Sequence, residues 1–498
     1  MLRKIRTILA AVFFTLITLL FLDFTGTLHC WLGWMTKVQF LPAVMALNVV
    51  VVVGLIALTL VFGRIYCSVI CPLGVFQDVL ARFHRKKNKY SYSKEVRWLR
   101  YPVLGVFVIA GLAGVGSLFR LLAPYSSYGR IATMIFQPVW KFGNNLLALV
   151  AEHFDSYAFY TIDTWMRSLP VFVIAAVTLV LLFVLAWRGG RTYCNTICPV
   201  GTILSFFARF SWFKIRFDEE KCKNCSLCSK NCKAACIDFK THSVDYSRCV
   251  VCGNCIEKCN FGALMYCGPS KSTRNSGDPK LSGSSADTVD TGKRSFLLAS
   301  AMVAGAAMAQ KKEKLMDGGI AELEDKVAPE RQTPLTPPGS QSFQNLSTRC
   351  TGCQLCISEC PNQVLRPSSD LMHLMQPTMS YEHGYCRPEC TRCSEVCPAG
   401  AIQLVDVAEK TSIQIGHAVW IKKNCVVLTD EVECGNCARH CPSGAIEMVP
   451  LDENDEESPM VPAINETACI GCGACEYVCP SRPFSAIIVE GHEVHKHI

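Results

Sequence analysis

Four apolar runs, a twelve-residue motif that occurs twice beside them, and six sets of four cysteines predict the fold class. It is an α-helical membrane domain of four spans, made of two repeated two-span units, followed by small α+β domains that bind [4Fe–4S] clusters. The chain has 498 residues, enough for several domains, with 31 cysteines and 50% hydrophobic residues. Its net charge of +8 hides an asymmetry: residues 1–344 carry 39 Lys+Arg against 21 Asp+Glu, and residues 345–498 carry 10 against 20. The basic residues cluster beside the apolar runs, which fits an anionic membrane lipid surface and gives no reason to expect nucleic acid. The acidic half offers either a docking face for a basic partner or plain solubility.

The apolar runs lie at about 7–22, 41–62, 102–122 and 168–187. Each is close to the ~20 residues that cross ~30 Å of hydrocarbon. Arg3, Lys4 and Arg6 precede the first, the basic stretch ARFHRKKNKYSYSKEVRWLR follows the second, and Arg188, Arg191, Arg209 and Lys214 follow the fourth. Positive residues mark the cytoplasmic side, so the loops at 23–40 and 123–167 are expected outside. Residues 1–212 are thus read as a four-helix transmembrane domain. His29 and His153 fall in or near the outer loops, and no C-x-x-C-H occurs, so no haem site is expected.

The repeated motif is GRIYCSVICPLG at 63–74 and GRTYCNTICPVG at 190–201. Residues 63–83 and 190–210 share 11 identities in 21 positions. A two-span unit returns the chain to its starting side, so both C-x3-C-P pairs are expected on one face, related by an axis along the membrane normal. Pro72 and Pro199 suit the first turn of a new helix and keep the preceding cysteine out of helical geometry. Three readings stand open. Cys67, Cys71, Cys194 and Cys198 converge on one extra cluster or metal, a seventh site; or they form redox-active dithiols; or they are small buried packing residues. Arg64 and Arg191 either offset a thiolate site or, by default, snorkel to the headgroups.

Residues 213–268 carry Cys222, Cys225, Cys228 and Cys232, then Cys249, Cys252, Cys255 and Cys259. A C-x2-C-x2-C-x3-C run puts three thiolates around one cube and sends the fourth to its neighbour. The block resembles a two-cluster bacterial ferredoxin. The resemblance implies one cluster on Cys222, Cys225, Cys228 and Cys259, and another on Cys249, Cys252, Cys255 and Cys232. Lys233 and Asn260 stand where proline is usual.

Residues 269–292 read as a flexible polar linker. Residues 293–310 have the build of an export signal, with Lys293-Arg294 at the start and Ala307-Met308-Ala309 at the end, and serve as a cleaved signal or an anchor. Residues 311–345 form a second linker. The last block, 346–498, has four sets: Cys350, Cys353, Cys356, Cys360; Cys386, Cys390, Cys393, Cys397; Cys425, Cys434, Cys437, Cys441; and Cys469, Cys472, Cys475, Cys479. Their pairing is adjacent or nested. Disulfides do not account for six such dense sets, and zinc ribbons use paired C-x2-C. The total is six [4Fe–4S] clusters. Cys30, Cys236 and Cys267 receive no role.

All-cysteine clusters carry electrons, and neither G-x-G-x-x-G nor a P-loop is present. The protein therefore reads as a conduit. Residues 1–268 resemble the NapH-type membrane quinol dehydrogenases, and residues 292–498 resemble the exported NapG/MauM-type ferredoxins. The resemblance implies oxidation of menaquinol or ubiquinol from the membrane quinone pool and delivery to a periplasmic redox partner. It implies an inner-membrane protein with residues 213–268 cytoplasmic and 311–498 periplasmic. Rival expectations are a metal reductase or assembly factor, and a cytoplasmic polyferredoxin on a membrane anchor. With one array on each side, ~30 Å of hydrocarbon must be bridged, either by quinone or by the C-x3-C-P pairs.

Overall fold

A computed structural model of the protein describes residues 2–83, 90–156, 159–162, 164–268, 316–317, 321–322, 324–452 and 458–498. Residues 1–268 together with 326–498 form one compact unit, and residues 269–325 a second. In the second unit the strands Met316–Asp317 and Ala321–Glu322 pair antiparallel. The first linker and the export-signal segment, 269–310, lie outside the described residues, as do residues 84–89 of the basic loop.

Helix α1 (Leu2–Leu22) has 21 residues, a length of about 31 Å. Helix α2 (Val49–Phe62) is shorter, because Asn48 stops the run: its side chain accepts from the Val51 amide and Leu47 takes a positive φ. After α2 come a turn at Tyr66–Val69 and then α3 (Pro72–Leu80). Helix α4 (Arg97–Leu112) ends before Gly114, which sits at φ 73°, and α5 (Gly116–Leu122) follows. Helix α6 (Pro124–Ile131) leads through a π-turn at Ala132–Phe136 into α7 (Gln137–His153). Helix α8 (Leu169–Gly189) has 21 residues, and a turn at Thr192–Thr196 precedes α9 (Pro199–Ala208).

The expectation of four spans is not confirmed. Among the described residues two helices, α1 and α8, are long and apolar enough to cross a membrane. The second run is cut by the Asn48 cap and the third by Gly114. Counting apolar residues registers neither. The outer loop expected at 123–167 also differs. Its first part is α6, with all eight residues buried, although PYSSYGRI is not an apolar sequence.

In the first cysteine block, Lys214–Phe217 pairs antiparallel with Leu264–Cys267, joining its two ends. In the second, Ile413–Trp420 pairs with Ile487–His497, Ile446–Pro450 with Met460–Ile464, and Leu365–Pro367 with Pro377–Met379. Residues 326–345, expected as linker, pack into this block. Lys326 Nζ donates to the carbonyls of Glu476, Tyr477 and Cys479 at 2.6, 2.8 and 3.1 Å, and Leu335, Thr336 and Ser340 are buried.

The two blocks meet opposite ends of α1. At its start Arg3 pairs with Glu257 of the first block, and Gly253 packs on the Arg3 backbone. Just past its end, the Asp23 carboxylate accepts from the amides of Thr25, Gly26 and Leu28, and Gly26 packs on the Arg392 guanidinium of the second block.

Candidate iron–sulfur sockets and the C-x3-C-P pair

Tertiary structure sorts the cysteines into fours. One hollow is lined by Cys222, Cys225, Cys228 and Cys259. In the second block three further hollows are lined by Cys360, Cys386, Cys390 and Cys393; by Cys441, Cys469, Cys472 and Cys475; and by Cys425, Cys434, Cys437 and Cys479. Cys255 lies within electrostatic reach of Cys252, Cys232 and Cys249, and Cys356 within reach of Cys353, Cys350 and Cys397. In each foursome three thiols come from one set and the fourth from its sequence neighbour. Pairing in the second block is therefore adjacent, one with two and three with four.

The chemistry of these sockets fits a cube. No three Cys, His, Asp or Glu side chains among the described residues are gathered to suit a single metal ion. Thiolates around a four-iron cube stand farther apart than those on one ion. Burial pushes the Cys437 thiol up to about 11 and the Cys472 thiol up to about 12. A buried thiolate needs a bound cation to offset its charge, and iron ligation supplies one.

Cys67, Cys71, Cys194 and Cys198 converge as well. All four are buried, and Cys198 lies within electrostatic reach of the other three. The two repeats grip each other reciprocally: Arg64 Nη2 donates to the Cys194 carbonyl at 3.2 Å, and Arg191 Nη1 to the Cys67 carbonyl at 2.7 Å. The matched glycines Gly74 and Gly201 pack on these same carbonyls with no room for a Cβ. Three donors reach the sulfurs directly: Gln77 Nε2 to Cys194 at 3.2 Å, the Gly201 amide to Cys198 at 3.3 Å and Arg64 Nη2 to Cys67 at 3.8 Å. Both arginines are fully buried, so the snorkelling expected by default does not occur. A buried ion network holds them. Arg191 pairs with Asp78, which is also 3.1 Å from Arg6 and 3.4 Å from Lys233. Arg64 donates to the Ser247 carbonyl and Asn195 Oδ1, both at 3.0 Å.

These contacts seat the first block on the C-x3-C-P pair. Lys233 follows Cys232 where proline is usual, and the structure gives the reason: its side chain reaches Asp78 and its carbonyl accepts from the Arg191 amide at 2.9 Å. Cys236 also finds a place, with its sulfur 3.5 Å from that of Cys232. Cys30 is exposed and Cys267 half-buried.

The second block is seated from the other side by α5 to α7. Arg120, fully buried, donates to the carbonyls of Cys350 and Leu374 and to Gln376 Oε1, at 3.1, 3.4 and 3.3 Å. Ser126 donates to the Thr351 carbonyl, and Gln137 Nε2 to the Ser358 carbonyl at 3.2 Å. Gly129 packs on the Cys353 carbonyl too closely for a side chain. Tyr125 lies within electrostatic reach of Cys353 and Cys397, while Tyr193 lies within reach of Cys198 and Cys194 and bonds Ser127. A single buried core includes Cys252, Cys67, Cys71, Cys198, Tyr193, Tyr125, Tyr128, Cys353 and Cys356.

Beside this interface Glu359 is almost fully buried, with no hydrogen-bond partner for either carboxylate oxygen. Burial, with the Asp23 carboxylate adding to it, pushes its carboxyl up to about 8. Sequence reading missed Asp78, Gln77, Arg120, Gly129 and Glu359. Gln77 and Asp78 lie inside the 63–83 repeat and Glu359 inside the Cys356–Cys360 gap, but none stands at a position that the repeat or the cysteine spacing marks. The available signal was a carboxylate six residues after Pro72, inside an otherwise apolar turn and helix.

Comparison with known proteins gives the same chemistry. A family profile described as "4Fe-4S binding domain" matches residues 44–90 and again 169–218, each match holding one C-x3-C-P motif. A profile described as "4Fe-4S dicluster domain" matches residues 432–482. The methylamine utilization ferredoxin-type protein MauM of Methylobacillus flagellatus is 30% identical over 172 residues, 32% of this chain and 70% of that protein. The ferredoxin-type protein NapH of Escherichia coli is 27% identical over 230 residues, 44% of this chain and 67% of that protein. An uncharacterized protein of Methanocaldococcus jannaschii is 26% identical over 236 residues, 45% of this chain and 73% of that protein.

Proposed function

Because the chain belongs to the NapH/MauM-type ferredoxin-type iron–sulfur proteins, whose shared chemistry is electron transport, we propose that it oxidises membrane quinol and delivers the electrons to a periplasmic reductase. Six cysteine foursomes would hold [4Fe–4S] clusters, and Cys67, Cys71, Cys194 and Cys198 would hold a seventh. Such clusters supply one-electron redox chemistry. The chain's residues hold the thiolates, exclude water and offset buried charge.

The observation that carries this reading is a buried core that holds Cys252 of the first block together with Cys67, Cys71 and Cys198 of the C-x3-C-P pair and cysteines of the second block. It supports a route across the ~30 Å of hydrocarbon expected between two arrays. The C-x3-C-P region touches the first block and α5 and α6 touch the second, so the crossing would be divided into more than one step. The contacts of the two blocks at opposite ends of α1 favour a first block inside and a second block outside, over a wholly cytoplasmic polyferredoxin.

The deciding experiment is anaerobic addition of menaquinol to the purified, cluster-loaded protein. The expected result is bleaching of the cluster absorbance on a scale comparable with dithionite. Clusters that dithionite reduces and quinol leaves oxidised would remove quinol as the donor. A reporter fused after the exposed Ile498 tests sidedness; activity confined to the cytoplasm would place the second block inside.

A further inference from the structure

The cysteine foursomes are not merely grouped; their contacts put them in an order. Starting at the first block, Cys222, Cys225, Cys228 and Cys259 form a socket in which Cys225 is exposed and Cys222 and Cys259 are half-buried. Cys232, Cys249, Cys252 and Cys255 come next, and all four are buried. Lys233, next to Cys232, reaches Asp78, which pairs with Arg191 of the C-x3-C-P pair. Tyr193, within reach of Cys194 and Cys198, bonds Ser127 of α6, whose Tyr125 lies within reach of Cys353. Cys356 also lies within reach of Cys393, a member of the adjacent socket.

The next junction joins the two halves of the second block. The Cys386 amide donates to the Cys472 carbonyl at 3.0 Å. Tyr381, fully buried, lies within electrostatic reach of both cysteines, and its hydroxyl donates to the Gly471 carbonyl at 2.7 Å. The foursome of Cys360, Cys386, Cys390 and Cys393 thus abuts that of Cys441, Cys469, Cys472 and Cys475. The last socket, Cys425, Cys434, Cys437 and Cys479, is reached through the exchanged fourth cysteines Cys441 and Cys479. Its neighbouring segment, Thr429 to Glu433, is exposed throughout.

Resting on the proposed function for the presence of all seven sites, we infer that they form one unbranched series. Its two exchange ends are the Cys222/Cys225/Cys228/Cys259 socket and the Cys425/Cys434/Cys437/Cys479 socket. Redox partners that donate or accept single electrons meet the chain at these two places. Each transfer moves one electron and makes or breaks no bond.

The test uses the full-length, cluster-loaded protein, reduced with dithionite, freed of excess reductant and mixed rapidly with ferricytochrome c. The probe's haem gains one electron for each one the protein loses. A Cys225→Ser background closes the first end. There, adding Cys437→Ser should slow cytochrome c reduction at least tenfold. Adding Cys390→Ser instead should split the yield, with two electrons per chain delivered fast and the rest stranded. Iron analysis must show the loss of about four atoms per closed socket, which separates a broken link from a misfolded chain. Electron paramagnetic resonance gives a readout without transfer: signals of neighbouring reduced sites broaden each other, and Cys390→Ser should sharpen those of its two neighbours. Fast delivery of every electron from the Cys390→Ser protein, or an unchanged rate in Cys437→Ser, would overturn the series. No quinol is used, so a failure of quinol oxidation leaves this result standing.

Discussion

Arg191 and Asp78 form a two-pronged ion pair in the protein interior, with Nε and Nη2 of the guanidinium each 2.9 Å from a carboxylate oxygen. Arg6 and Lys233 close on the same carboxylate. One anion thus offsets three cations from α1, the second repeat and the first ferredoxin block. Asp78→Asn leaves them uncompensated, and removing one partner of a buried pair costs about 3–5 kcal/mol. The variant should melt well below the parent in detergent, and Lys233→Met added to it should restore part of the loss. An Asp78→Asn protein with the parent's melting temperature would show that the network is not needed.

Iron content tests the C-x3-C-P site. Seven cubes amount to about 28 iron atoms per chain. Cys67→Ser with Cys194→Ser should lower this to about 24 while the ferredoxin signals remain. A parent already at about 24 would return the four thiols to the dithiol or packing readings.

Gly129 sets the contact between α6 and the Cys350–Cys356 loop. Gly129→Ala puts a methyl group into the Cys353 carbonyl, and overpacking of this kind costs about 1–3 kcal/mol. Iron content should stay at the parent level while transfer between the two blocks slows, read by flash reduction of one block and optical detection in the other. Unchanged transfer would mean that α6 is not the bridge.

Glu359 gives a pH signature. Its folded carboxyl titrates near 8, against 4.5 ordinarily. Between those values the folded chain keeps a proton that the unfolded chain has released. Its contribution to stability is therefore complete below about pH 4.5 and is lost as pH rises through about 8, with linkage limiting the effect to about 5 kcal/mol. Melting temperature should fall from about pH 6 to 9, and Glu359→Gln should flatten that slope. Parallel slopes in the two proteins would refute the assignment.

The seating of the second block on α5 to α7 predicts that it needs no covalent tether. A protease site placed at 311–315, beyond the 293–310 segment, and cut after membrane isolation should leave the 326–498 portion bound through a high-salt wash. Arg120→Ala should release it. Release of the cut parent would show that the linker holds the block in place.

The cysteine foursomes were half legible from sequence. Two-residue spacing identifies the three thiols that one loop can offer, as at Cys469, Cys472 and Cys475, but the fourth, Cys441, comes from another loop and is known only once the chain has folded. The repeat at 63–83 and 190–210 announced the meeting of the C-x3-C-P pairs. It did not announce Asp78, whose counterpart in the second repeat is Ser205. Helix α6 escaped because its burial rests on polar residues that bond the facing loop, and hydropathy reads such a segment as surface. Arg64 and Arg191 escaped for the opposite reason: an arginine at a membrane edge is ordinarily drawn toward water, and here backbone carbonyls and a carboxylate draw it inward.

The crossed grip of Arg64 on the Cys194 carbonyl and Arg191 on the Cys67 carbonyl has a consequence for ancestry. Each repeat supplies the cation that finishes its neighbour's turn, so neither half is complete alone. The arrangement is that of a homodimer whose subunits have been joined end to end. The two halves differ around a shared centre: one carries the Asp78 carboxylate, and the other has Ser205 at the matching place.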